Sequence, residues 1–241
     1  MTRGTTQFSL WRSNGTAGGT VSVASYDYIK PLGVLNNEFY YGALTGTTSR
    51  LYKIGNTGTP VLLKTVNLEP YSKEASVFQR DFNDHEVIGN TLYFRANGSG
   101  GAQELWKTNG TAAGTVKVSD SPGVGFAPNY TNVNGTLFFA ENGFPAKLWK
   151  SNGTSGGTVI VESFPPTFDL ATIITAFAEY KNKLIFSLNG LLLTNALLYV
   201  SDGTENGTKI IKELPYGGQE TGVFPAGVVN DQLAFFQYIS F

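Results

Sequence analysis

One phrase recurs along this chain of 241 residues, and whatever fold it adopts must accommodate the repetition. "LWRSNGTAGGTVSV" begins at Leu10, "LWKTNGTAAGTVKV" at Leu105 and "LWKSNGTSGGTVIV" at Leu148. Looser copies are "LYKIGNTGTPVLLK" from Leu51 and "LYVSDGTENGTKII" from Leu198. The intervals between the five leucines are 41, 54, 43 and 50 residues. The 43 residues after Leu198, joined to the first ten, complete a fifth interval. A catalytic signature has no reason to appear five times, whereas a supersecondary unit does.

Each unit reads as four short extended runs. In the copy over residues 86–119, "TLYFRAN" and "QELWKTN" are dense in aliphatic and aromatic residues and are separated by Gly and Asn. "TVKV" then alternates as a half-exposed strand does. No long amphipathic helical pattern appears. Four strands per unit, repeated around a circle, predict an all-β fold: a five-bladed β-propeller of four-stranded antiparallel blades, one domain over residues 1–241. The chain begins with the third and fourth strands of a unit ("FSLWRSN", "TVSVAS") and ends with the first and second ("AGVVND", "LAFFQYISF"). A blade shared between the two ends would close the ring and remove two open sheet edges.

The phrase itself reads as architecture. Asn14-Gly15, Asn109-Gly110, Asn152-Gly153 and Asp202-Gly203 fall where the third strand must reverse into the fourth. Asn and Asp bond their own nearby backbone, and Gly supplies positive φ. The following threonines, such as Thr154 and Thr158, can close side-chain bonds onto the turn. Trp11, Tyr52, Trp106, Trp149 and Tyr199 lie mid-strand, placed to fill the wedge between blades.

"ELWKTNGTAAGT" (104–115) resembles the ELW-x-x-DGT repeat of bacterial, mostly secreted or surface proteins, with Asn109 in place of Asp. "VNGTLFF" (133–139) resembles the segment that precedes that motif. Glu104 keeps the motif's acid; the other copies carry Ser9, Arg50, Lys147 and Leu197. The resemblance implies an extracellular or cell-surface location and says little about activity. Size and layout are also similar to five-bladed tachylectin-type lectins, whose sequence motif differs.

Composition narrows the functions. Charged residues are 15% of the chain and the net charge is −1, so no broad basic field attracts nucleic acid or an anionic membrane. No run approaches the ~18 apolar residues of a membrane-spanning helix. There are no cysteines, which suits an oxidising exterior and the cytoplasm alike. "MTRGTTQFSLW" lacks the apolar stretch of a signal peptide.

Chemistry-bearing residues are sparse. The inner-strand acids are Asp84, Glu86, Glu179 and Asp231, in no catalytic pattern for glycoside hydrolysis. His85 is the single histidine and, on a strand, would face away from Asp84 and Glu86. No metal site, cofactor or nucleophile set is expected, and calcium has little support where most turns carry Asn. The Asn-x-Ser/Thr sites at Asn14, Asn97, Asn109, Asn129, Asn134, Asn152 and Asn206 are mostly explained by turn chemistry.

A ligand is expected on the face built from the fourth-to-first and second-to-third strand connections, which are variable and aromatic. Tyr28, Tyr71, Phe82, Phe126, Phe144, Phe168, Tyr216 and Phe224 are the candidates. Aromatic faces beside Asn, Asp, Gln and Gly suit sugars. The expectation is a non-catalytic, lectin-like glycan binder. The alternatives are a structural or adhesion module and, third, a glycoside hydrolase.

Overall fold

The computed structural model describes residues 7–68, 84–98, 103–120, 129–143, 145–165, 172–190, 195–215 and 221–239, and its regular elements are all strands. β1 (Phe8–Arg12) and β2 (Val21–Tyr26) form a two-stranded sheet. β3 (Tyr28–Leu35), β4 (Glu38–Thr45), β5 (Thr48–Ile54) and β6 (Val61–Thr65) make a four-stranded one. The next contains β7 (His85–Ile88), β8 (Thr91–Asn97), β9 (Gln103–Thr108) and β10 (Val116–Asp120). Then come β11 (Thr131–Val133), β12 (Thr136–Glu141), β13 (Ala146–Ser151) and β14 (Thr158–Phe164). A fourth such sheet holds β15 (Thr172–Tyr180), β16 (Lys183–Gly190), β17 (Asn195–Ser201) and β18 (Lys209–Pro215). β19 (Thr221–Val229) and β20 (Gln232–Ile239) end the chain as a two-stranded sheet.

Four interior units therefore have the expected four antiparallel strands in sequence order. The sheets number six rather than five because β1-β2 and β19-β20 are separate pairs. The chain packs as two compact units, Met1–Arg80 with Gly89–Asp120 and Asp81–Ile88 with Ser121–Phe241.

Local chemistry sets the strand reversals. First-to-second strand turns are Asn36-Asn37, Asn134-Gly135, Lys181-Asn182 and Asn230-Asp231, each with both central φ values between 48° and 82°. That is the type I′ turn, whose twist matches paired strands. The Leu-Trp/Tyr step of each phrase carries a second device. Pairing of the third with the fourth strand shifts register between Leu10/Trp11, Leu51/Tyr52, Leu148/Trp149 and Leu198/Tyr199. In the remaining copy the shift falls opposite, between Lys117 and Ser119. A bulge there bends the outer strand and increases its twist.

The phrase aromatics stack on a ring of the second strand in the same sheet: Tyr52 on Tyr41, Trp106 on Phe94, Trp149 on Phe139 and Tyr199 on Phe186, at 5.2–6.4 Å between centroids. A ring from the preceding fourth strand then caps the stack. Phe164 of β14 meets Phe186 at 5.9 Å and Tyr199 at 5.3 Å, edge-on. Tyr26 of β2 meets Tyr41 and Tyr52 with its ring tilted, its hydroxyl 3.0 Å from that of Tyr41. Four of the five phrase aromatics are thus stacked within their own sheets, whereas Trp11 is largely exposed. Burial pushes the Tyr41 and Tyr199 hydroxyls above the ordinary phenol range. In the second unit the core lies between β11–β14 and β15–β18, centred on Phe138, Leu148, Ile174, Leu184 and Phe186. A smaller cluster of Ile185, Leu198, Leu214 and Val223 joins β15–β18 to β19-β20.

Candidate functional site

The third-to-fourth strand hairpin has one hydrogen-bond plan. In the β13–β14 copy, Asn152 Oδ1 accepts from Thr154 N–H at 3.0 Å and from Thr154 Oγ1 at 2.8 Å. Thr154 Oγ1 accepts from Gly157 N–H, and Thr158 Oγ1 donates to the Thr154 carbonyl. That donation uses the Thr158 proton, so Ser151 Oγ–H is the donor in its 2.8 Å bond to Thr158 Oγ1. Ser151 Oγ also accepts from Gly153 N–H. The same set recurs around Asn14, Asn109 and Asp202.

The expectation for the phrase is met, with one refinement. Positive φ belongs to the glycines Gly15, Gly110, Gly153 and Gly203 (83–90°), while Asn and Asp act through their side-chain oxygen. In the looser copy at Leu51, Gly58 N–H bonds to the Gly55 carbonyl instead. A β-carbon on Gly157 would overlap Asn152 Oδ1, whereas one on Gly156 would meet open space. Gly157→Ala is therefore expected to destabilise by about 1–3 kcal/mol in urea titration, and Gly156→Ala to be neutral.

These hairpin ends frame a cavity of about 390 Å³ between β11–β14 and β15–β18. Its floor includes buried Phe138 and Gly203, and its open rim carries Asn134, Asn152, Asn182 and Asp202. Lys150 spans it, donating from Nζ to the Gly203 carbonyl at 2.8 Å. The Thr204 hydroxyl, then its N–H, holds the Asp202 carboxyl below the usual carboxylate range, so it stays an acceptor. Asn152 and Asp202 each spend Oδ1 on their hairpins, leaving Nδ2 and Oδ2 as the groups for a ligand.

This cavity lies at the first-to-second and third-to-fourth strand connections, the opposite ends of the strands from the loops expected to bind. Tyr71, Phe82, Phe126, Phe144, Phe168 and Tyr216 lie outside the described residues. Phe224 sits in β19, paired with Phe236. Tyr28 opens β3, its ring edge-on to Phe8 at 5.4 Å.

The inner acids hold local structure. Glu179 Oε1 accepts from Asn182 N–H at 2.8 Å. Asp231 accepts from Lys181 Nζ at 2.6 Å, and its carbonyl accepts from the Tyr180 hydroxyl. Burial raises the Glu86 carboxyl above its ordinary value. His85 departs from the strand alternation expected of it: its Nδ1 lies 3.8 Å from Asp84 Oδ1. Asp84 precedes β7, where the alternation rule does not yet apply.

A pairing invisible in the phrase alone involves Glu141. Glu104 Oε2 accepts from Trp106 Nε1 at 2.8 Å, and its Oε1 meets Lys117 Nζ. In the next copy Lys147 stands where that acid would be, and Glu141 on the neighbouring strand takes over. It accepts from Trp149 Nε1 at 2.8 Å and from Lys147 Nζ at 3.0 Å. The sequence signal is an acid lost at 147 and gained at 141, residues that face each other across β12–β13.

Repeated four-stranded antiparallel sheets with polar hairpin ends make this a β-propeller-like all-β chain. No family model and no curated protein matches it. Among solved structures it is similar to prolyl oligopeptidase B from Galerina marginata, at TM-score 0.51 and 11% identity over 87% of this chain and 34% of that one. It is also similar to TolB from Acinetobacter baumannii, at TM-score 0.48 and 12% identity over 95% of this chain and 56% of that one. For BamB from Moraxella catarrhalis the values are 0.49 and 13%, over 90% and 63%. The chain spans 34% to 63% of the length of these proteins. At such identities the likeness concerns the fold alone.

Proposed function

We propose that this chain is a non-catalytic binding propeller for carbohydrates, five-bladed and closed by its terminal strand pairs, in a secreted or surface setting. The observation that carries the reading is the open polar cavity at the hairpin ends. Side-chain amides, one carboxylate, an ammonium and an aromatic ring form a set suited to a ligand that both donates and accepts hydrogen bonds. Glu179 and Asp231, by contrast, are tied into turns rather than set across a substrate.

A glycan array with labelled protein tests the reading. Saturable binding to one sugar class, displaced by that free sugar, is expected. A blank array at high display density would favour a second reading, a structural or adhesion module. Exposed apolar pairs on the outer strands support that alternative: Val61-Leu62, Val159-Ile160 and Ile210-Ile211.

A further inference from the structure

The repeat places equivalent residues at successive sheet junctions, and two of these junctions are built differently. Register aligns Glu38, Tyr40 and Lys53 of β4–β5 with Thr136, Phe138 and Lys150 of β12–β13, since Tyr40 pairs with Lys53 and Phe138 with Lys150. Each set faces a hairpin glycine, Gly110 in the first case and Gly203 in the second. A β-carbon on Gly110 would lie 2.5 Å from Tyr40 Oη, and one on Gly203 would lie 3.1 Å from Phe138 Cζ.

At the first junction Glu38 Oε2 accepts from Lys53 Nζ at 2.8 Å and from Tyr40 Oη at 3.3 Å. The polar groups there satisfy one another, and burial with the Glu38 charge pushes the Tyr40 hydroxyl up to about 12. At the second junction Thr136 replaces the long acid, Phe138 lacks the hydroxyl, and Lys150 turns to the Gly203 carbonyl. Thr136, at the position that Glu38 holds in the other sheet, lines the cavity.

Resting on the carbohydrate reading above, we infer that the β12–β13 junction is a site for a neutral sugar of one or two rings. Asn152 and Lys150 offer donors and Asp202 an acceptor, matching hydroxyls that do both. Phe138 provides a ring at the floor for a CH face. Because Asp202 remains a carboxylate on the rim, sugars carrying their own carboxylate are disfavoured.

The chain supplies its own test substitutions. Thr136→Glu recreates the Glu38–Lys53 arrangement against Lys150 and places a carboxylate inside the cavity. Asp202→Asn keeps the hairpin network, as Asn152 does, but removes the carboxylate. Titration with the sugar found by the array, using folded protein of unchanged melting temperature, is expected to show at least about tenfold weaker binding for Thr136→Glu. Asp202→Asn is expected to weaken neutral sugars several-fold and to narrow the preference over uronic acids. Undiminished binding by Thr136→Glu would place the sugar elsewhere while leaving the carbohydrate reading intact. A native protein that binds no glycan would overturn both. If Thr136→Glu does not fold, Asp202→Asn decides, and unchanged affinity and unchanged charge preference in that variant would end the inference.

Discussion

Phe186→Ala is expected to lower the stability of the folded protein by about 3–5 kcal/mol. Phe186 is fully buried at the centre of the core between β11–β14 and β15–β18. Its ring stacks on Tyr199 at 5.2 Å and meets Phe164 and Phe177 each at 5.9 Å. Truncation removes a whole ring from contacts contributed by both sheets. The neighbours are fixed by ladder hydrogen bonds and cannot collapse into the space, so cavity and transfer losses add. Val159→Ala, on the exposed face of β14, is the control and should shift stability by no more than about 0.5 kcal/mol. Urea titration of the two variants measures the difference. A loss near 1 kcal/mol for Phe186→Ala would mean that the two sheets are not packed through this ring.

The second large effect concerns the terminal pairs. In the four-stranded sheets the second-strand ring is buried beneath a third-strand ring, as in Phe139 with Trp149 and Tyr41 with Tyr52. Phe235 of β20 holds the position of Tyr41. The turn Asn230-Asp231 and the bulge at Pro225/Gly227 match Asn36-Asn37 and Pro31/Gly33. Yet Phe235 is 39% exposed, whereas Tyr41 and Phe139 are 0% and 1% exposed. Trp11 of β1 holds the position of Trp149 and is 59% exposed. On the proposed closure, each terminal pair would supply the half of the stack that the other lacks.

Joined by the register of β12–β13, Phe235 would pair with Trp11 and Gln237 with Ser9, as Phe139 pairs with Trp149 and Glu141 with Lys147. Ser9→Cys with Gln237→Cys, in a chain that has no other cysteine, is expected to oxidise to a disulfide within one molecule. Across so long a loop the bond should stabilise by about 5.5 kcal/mol on the chain-entropy estimate. Non-reducing electrophoresis and thermal melting read the result. A disulfide between two molecules would mean that the half-blades exchange between copies. No disulfide under oxidising conditions would mean that the terminal pairs do not complete each other.

Much of the fold was legible because its causes are local. The Asn-Gly-Thr hairpin closes through bonds spanning two to seven residues, so its sequence carries its whole geometry. The turns at Asn134-Gly135 and Lys181-Asn182 are equally local. The period of the phrase, with its mid-strand aromatic, was enough to imply stacked four-stranded sheets.

The site was legible only in part, because it is made by residues that meet across sheets. Nothing beside Thr136 in the chain says that it stands where Glu38 does, or that it lines a cavity with Gly203. Glu141 is likewise assigned to Trp149 by the register of β12 on β13 rather than by the motif, which looked for an acid at 147. The sequence by itself determined the repeated unit and its hairpins, since these depend on backbone and side chains close along the chain. The tertiary structure decided which acid serves which indole and which residues line the cavity, because side-chain packing between sheets depends on register and not on proximity in sequence.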